Sequence, residues 1–384
     1  MSFSRCKELL SLCCLLSFAV SASSTERPVT MADIQALEAQ LVELKARLQA
    51  QQAQQAQPPQ STPNTPSSSK TELTSTNSFV DLYATVRPTF GYLKESGGNN
   101  WDVRDALSHA GFKVTHEFMP DWQVELQGEW GIDLANEGNF GKSRRAYTAL
   151  KTPYGRFGIG KQRPAQYLFI ADPVDIFNHS SSPFSYDPES LFFVDNLLSY
   201  RYEYGALTFI AVSQFDGQKG DDQSDMFNAG LSYDANGLHA AITYQQSKVY
   251  DADTRLGENQ IWAGALAYQF TDRFYAAVAY QDKTYQRLTA DLSRDGHTFD
   301  LSLAYQLSPH YKLKAGIFDF EDGFASTALE NQSFDGYNVT LEWLPIAPLR
   351  VHLEYLSKSF VNDTEFDSIS IGFRYDFKQQ WSFK

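Results

Sequence analysis

The chain has 384 residues, with 32 Lys and Arg against 46 Asp and Glu, and 14% of it is aromatic. That acidity argues against nucleic acid as a partner, and past residue 22 no apolar run reaches the ~18–20 residues that a membrane helix needs. A strand barrel escapes the second exclusion, because its strands show the bilayer only every other residue.

Residues 1–22 read as a secretory signal peptide. Arg5 and Lys7 precede the apolar core "LLSLCCLLSFAV", and "VSA" ending at Ala22 fits a cleavage site. Cys6, Cys13 and Cys14 all lie inside it, so the processed chain is expected to carry no thiol and no disulfide. Neither Cys13 nor Cys14 follows a small residue, which argues against lipidation.

Residues 31–56 follow as a short helical segment. Ile34, Leu37, Leu41, Leu44 and Leu48 alternate by three and four residues, as the seam of a coiled coil requires. Glu38, Lys45 and Arg47 flank that seam, and Gln51 and Gln55 end it. A solitary amphipathic helix is the alternative. The stretch "QPPQSTPNTPSSSK" makes residues 57–77 a flexible Pro/Ser linker.

From residue 78 to 384 the pattern is all-β. "WQVELQGEWGIDL" (122–134) alternates Trp122, Val124, Leu126, Trp130 and Ile132 with Gln123, Glu125, Gln127, Glu129 and Asp133. Sixteen such runs are expected, the first over 79–91, the second over 106–118 and the last over 367–377. Their connections alternate between tight turns, "DANG" (234–237) being the strongest hairpin signal, and long polar segments such as "KESGGNNWDVRD" (94–105). Even strand number with short turns at one rim and long loops at the other is the layout of a transmembrane antiparallel β-barrel. A soluble β-sandwich is the competing fold. Aromatics decide against it: Trp122, Phe270, Phe274, Trp343 and Phe377 lie beside short turns, and Trp130, Trp262, Tyr280 and Tyr337 lie toward the long loops, all on the apolar parity. Those are two interfacial belts.

The other parity is polar. It carries bases including Arg87, His109, Lys113, Arg144, Arg201, Lys312, Lys314, Arg350 and Arg374, and acids including Glu125, Glu129, Asp133, Glu203, Glu342 and Glu354. Sixteen strands enclose an aqueous lumen, where wall charges keep their hydration. The third long loop, 163–193, differs from the rest. Leu168, Phe169, Ile170, Ile176, Phe177 and Phe184 need a surface to pack on, and folding into the lumen provides one. That would set Asp172, Asp175, Asp187 and Glu189 against wall bases such as Arg144 and create a transverse field.

These stretches resemble the general trimeric porins of Gram-negative outer membranes. The resemblance rests on "FVDLYATVRPTFGY", "SHAGFKVTHEF", "LQGEWGIDL", "RRAYTALKTPYGRFGIGKQ" and the closing "ISIGFRYDF". It implies an outer-membrane homotrimer, passive diffusion of small hydrophilic solutes and ions, no cofactor, and a constriction made by the third loop. Arg144 matches a wall arginine of that constriction. His109 stands where many members have arginine, which weakens the basic wall, since His is mostly neutral near pH 7. "PFSYDPE" (183–189) replaces the usual loop turn, and "KQQWSFK" extends past the usual terminal aromatic. The last strand therefore ends at Phe377 with a tail or runs further. The heptads resemble a periplasmic extension found in a minority of trimeric porins.

Competing functions are a solute-selective channel, for dicarboxylates or sugars, and a structural barrel tethered to the cell wall by its coil. A ladder of Lys and Arg, as a phosphate channel wants, is not evident in the mixed-sign inventory. Acidic outer loops could hold cations bridging lipopolysaccharide, although solvation explains them as well. An enzyme is not expected: "NHSSS" (178–182) fixes no acid partner for His179, and no helix follows the glycines of "GRFGIG" (155–160).

Overall fold

Alternation decides the architecture. On Trp122–Ile132, Leu126 is 47% exposed and Gln127 beside it 7%, so the apolar face points out of the sheet and the polar face in. The computed structural model describes residues 77–95, 98–136, 138–179, 191–215, 225–251, 254–325, 328, 331–361 and 364–383. The chain divides into the units Met1–Thr71 and Glu72–Lys384, and all described residues belong to the second. The expected signal peptide, coiled coil and most of the linker lie outside the described residues, as do Phe184, Asp187 and Glu189.

Eighteen β-segments are present: β1 Ser78–Val86, β2 Pro88–Glu95, β3 Gly98–Asp105, β4 His109–Met119, β5 Trp122–Ile132, β6 Phe140–Thr152, β7 Gly155–Gln162, β8 Val194–Tyr204, β9 Leu207–Gln214, β10 Met226–Ala235, β11 Leu238–Asp251, β12 Thr254–Thr271, β13 Phe274–Arg287, β14 Arg294–Ser308, β15 Tyr311–Glu321, β16 Phe334–Ile346, β17 Leu349–Phe360 and β18 Glu365–Phe383. Every pairing is antiparallel, and β18 pairs with β1, which closes the sheet. β1 and β2 are halves of one stave broken at Arg87, both lying on β18. β3 and β4 are halves of the next, facing β2 and β1 respectively. The result is a closed barrel of sixteen staves, and among the described residues no helix is long and apolar enough to cross a membrane.

Three features depart from or complete the sequence-based expectation. The segment 94–105 is not a free polar loop. β2 and β3 run through it as a hairpin, with Trp101 stacked on Phe90 at 5.4 Å and beside Tyr92 at 5.5 Å. Asp133 is not a wall acid either. β5 stops at Ile132, and the Asp133 carboxylate accepts from the backbone amides of Ala135 and Asn136 in the loop beyond. The last strand runs on to Phe383, pairing Trp381 with Val80 and Phe383 with Ser78.

The "DANG" turn has positive φ at both Asn236 (51°) and Gly237 (80°), the conformation that the twist of a two-residue hairpin selects. Phe270, Trp343 and Phe377 on the short-turn side, and Trp262, Tyr280 and Tyr337 toward the long loops, all stand exposed on the outer face. Trp130 does not. It lies half-buried along its own strand, 6.2 Å from Phe112 and over Gly128, where no side chain intervenes. Apolar packing falls in two clusters, one of Phe318, Phe320, Phe334 and Leu356 on β15 to β17 and a larger one between the third loop and the wall. Tyr167, Phe169, Ile170, Ala171 and Val174 pack with Ala263, Ala265, Ala267, Ala277 and Ala279. Small residues on the inner face of β12 and β13 make room for the loop.

Candidate functional site

The loop after β7 follows the inner wall from β10 to β18. At its start the Gln166 amide nitrogen donates to Asn228 Oδ1 (2.9 Å) on β10, its side chain donates to Gln281 Oε1 (2.6 Å) on β13, and Thr243 on β11 donates to Gln166 Oε1. His239 Nε2 lies 2.8 Å from the Phe169 carbonyl oxygen, and its Nδ1 lies 2.6 Å from Asp234. Further along, Tyr275 donates to Pro173 O (2.7 Å) and Ser302 to Val174 O (2.7 Å). Phe177 lies against Gly316, where any Cβ would meet its ring at 2.6 Å.

A buried ion pair anchors the far end. Lys314 Nζ and Glu342 Oε1 are 2.6 Å apart, with side chains 5% and 1% exposed. Lys314 also donates to Ile176 O (2.5 Å), and Glu342 accepts from Asn178 Nδ2 (3.0 Å). Glu354 accepts from the backbone amides of Asn178 (2.9 Å) and His179 (2.6 Å). Beyond it, Arg104 Nη1 lies 3.2 Å from His179 Nε2, so the imidazole nitrogen accepts and the ring is neutral. Burial pushes His179 down to about 4; Glu354 opposes that shift, and Arg104, Lys358 and His352 add to it.

The opposite sector, β4 to β8, is strongly basic. Arg144 Nε donates to Glu129 Oε1 at 2.7 Å, and Arg145 Nε is 3.9 Å from Glu129 Oε2. Both arginines reach one carboxylate because the β5–β6 register slips there: Glu129 pairs with Arg145, Trp130 with Ser143, and Arg144 is the extra residue. Phe193, at the loop's return, is flanked by the guanidiniums of Arg144 (4.8 Å) and Arg163 (4.9 Å). Arg163 also stacks on Tyr167 at 3.9 Å and pairs with Asp172 at 3.6 Å. Burial lowers the Arg163 pKa and raises that of Tyr167, and the charges of Arg144 and Arg145 also act on both ends of this stack or one of them.

The sequence candidates fall into this frame as follows. Arg144 is on the basic sector beside Glu129, and His109 lies near both, with Nδ1 2.9 Å from Leu107 O. Lys113 pairs with Glu125 at 3.5 Å, and Arg201 pairs with Glu203 at 2.7 Å. Arg87, at the break between β1 and β2, donates to Asn178 O at 3.3 Å and interacts with the charge of Asp175. Asp172 meets Arg163. Sequence reasoning missed Arg145, Arg156 and Arg163. Strict alternation allows only one of the adjacent Arg144 and Arg145 to face inward and hides the bulge at Arg144 that lets both do so, and Arg163 belongs to no strand. Among the described residues no group of His, Cys, Asp or Glu side chains is placed to hold a metal ion.

Apolar outside, charged within, and crossed by a loop bonded to its inner wall, the barrel is a membrane channel by construction. The family model described as Gram-negative porin matches residues 52–259 and 250–384. Among solved structures, the anion-selective porin from Comamonas acidovorans superposes with a TM-score of 0.63 at 14% identity, over 78% of this chain and 100% of that one. In-vitro folded OmpT of Vibrio cholerae, in its trimer form, gives 0.60 at 17% identity, over 78% and 99%. The outer membrane channel DcaP of Acinetobacter baumannii gives 0.61 at 12% identity, over 79% and 97%. No curated protein matches the chain in sequence. The chain belongs to the Gram-negative porin family, and it is an outer-membrane diffusion pore.

Proposed function

We propose that the chain is a passive channel for small hydrophilic solutes and ions, assembled as a homotrimer, in which the loop 163–193 narrows the lumen. The observation that carries this is the row of bonds from residues 166–179 to inward side chains of β10 through β18. A loop so held leaves less of the cross-section to water. It also carries Asp172 and Asp175 on the side of the lumen where Arg163 and Arg87 stand. Solutes crossing there meet charge of both signs, which orders water and discriminates by charge and dipole. The trimer is supported by the trimeric form of one structural neighbour. The porin family and fold favour a channel over an enzyme. Solute selectivity and a tethering role for residues 31–56 are the remaining alternatives. Single-channel recording of the purified protein tests the reading: ohmic steps are expected in threes, one per protomer. Steps that never group in threes would remove the trimer, and block by one particular solute would favour the selective channel.

A further inference from the structure

The chain is acidic as a whole, 46 acids against 32 bases, yet one sector of the lumen is the reverse. Lys151 on β6 stands directly opposite Arg156 on β7, and Arg156 stands directly opposite Arg201 on β8. Three basic residues therefore form one row across three neighbouring strands, whose backbones lie roughly 4.8 Å apart. Like charges opposed across a ladder destabilise it, so folding gains nothing from this row.

The row lines a cavity of about 450 Å³ on the short-turn side of the third loop, a size suited to a small solute. Lys113, Arg145 and Arg163 line it too, so six cations meet only two carboxylates, Glu125 and Glu203. Those carboxylates are engaged already. Glu125 holds Arg156 at 3.0 Å and Lys113 at 3.5 Å, and Glu203 holds Arg201 at 2.7 Å. Lys151 makes no hydrogen bond or ion pair with any described residue. Among the described residues Arg145 makes only its 3.9 Å pair with Glu129 and a ring contact to Phe193. The mixed-sign inventory of the lumen thus sorts by sector once the strands are in register. A cleft lined by one sign of charge, with low-dielectric walls, concentrates ions of the other sign.

We propose that Lys151, Arg156 and Arg201 form a binding site for small multivalent oxyanions in the short-turn half of the lumen. Two guanidiniums and an ammonium, rooted over roughly 10 Å of wall, suit a solute with two separated carboxylates. A single phosphate group can equally take paired bonds from one guanidinium. A monovalent ion gains from one member of the row at a time. The proposal rests on the pore reading above and names the solute class that pore favours.

The test uses the full-length protein in planar bilayers in potassium chloride, with inorganic phosphate, succinate or acetate added at millimolar concentration. Phosphate and succinate should reduce the chloride current in a concentration-dependent way, and acetate should not. Lys151→Gln, which removes a charge without a partner among the described residues, should raise the half-blocking concentration about three- to tenfold. Lys151→Gln combined with Arg156→Gln should raise it further. Lys312→Gln, the same change of charge on β15 and outside this cavity, should leave it within about twofold. The ratio of succinate to phosphate block tells a dicarboxylate site from a phosphate site. An open channel that ignores both divalent anions, or in which Lys312→Gln matters as much as Lys151→Gln, overturns the site alone. A protein that forms no channel overturns the pore reading and this site with it.

Discussion

The Lys314–Glu342 pair offers the sharpest handle on the third loop. In Lys314→Met the ammonium is lost from a site where both partners are almost fully buried, 2.6 Å apart. Two charge-assisted bonds disappear, one to Glu342 and one to the Ile176 carbonyl, each worth roughly 1.5–3 kcal/mol. Glu342 is left buried without its cation, a change that typically costs ~3–5 kcal/mol in a closed interior. The lumen offers a cheaper outcome. If residues 176–179 leave the wall, water reaches Glu342, so the penalty is bounded by the docking energy of the segment. We therefore expect the loop to detach while the barrel stays folded. Conductance should rise, open-channel noise should rise, and thermal unfolding should shift little. A reporter cysteine at Val174, which is fully buried, gives an independent signal, because the native cysteines all lie within the first fourteen residues. In the Lys314→Met background Val174→Cys should react with a water-soluble thiol reagent, and in the parent it should be protected. Adding Glu342→Gln should recover part of the protection, since no unpaired charge then remains. Unchanged conductance together with continued protection would refute the idea that this pair pins the loop.

Other outcomes follow from the same geometry. Leu266, exposed on β12 midway between the belt residues Trp262 and Phe270, faces the bilayer centre, so Leu266→Lys should lower folding stability in lipid by ~2–4 kcal/mol; a neutral effect in a denaturant titration would take that face out of the lipid. Burial holds His179 at about 4, below the ~6.5 of a free imidazole, so the undocked loop takes up the proton first. Docking is then intact above about pH 6.5 and weakens as pH falls toward 4; channel noise should grow across that window in the parent and stay flat in His179→Asn, and a flat parent would contradict the assignment. Arg144→Gln removes the guanidinium 2.7 Å from Glu129 and leaves Arg145 at 3.9 Å, so the reversal potential in a salt gradient should move toward cations. An unmoved potential would mean that Arg144 does not act on permeating ions.

Much of the barrel can be read from alternation alone. Leu126 and Gln127 sort to opposite faces because a period of two leaves no other choice, and "NG" at 236–237 marks a hairpin because both residues tolerate positive φ. The apolar side chains of the third loop announce that they need a partner. What they pack on is less visible: Ala263, Ala265, Ala267, Ala277 and Ala279 break the polar inner parity, and they make sense only once the loop lies over them. Gly98–Asp105 was hidden for a related reason. Its Asn and Asp residues look like loop, and the stacking of Trp101 on Phe90 across the hairpin is a contact that one strand's sequence cannot display. The basic row needs two registers at once. Lys151, Arg156 and Arg201 are ordinary wall charges until β6, β7 and β8 are aligned, and the bulge at Arg144 shifts the alignment by one residue along the same wall.

The central claim is that a lipid-facing cylinder encloses continuous water. Adding the purified protein to a planar bilayer tests it most directly. Stepwise insertion of channels, with current linear in voltage and scaling with salt concentration, is the expected result. A protein that stays soluble and monomeric without detergent and leaves the bilayer non-conducting would contradict it.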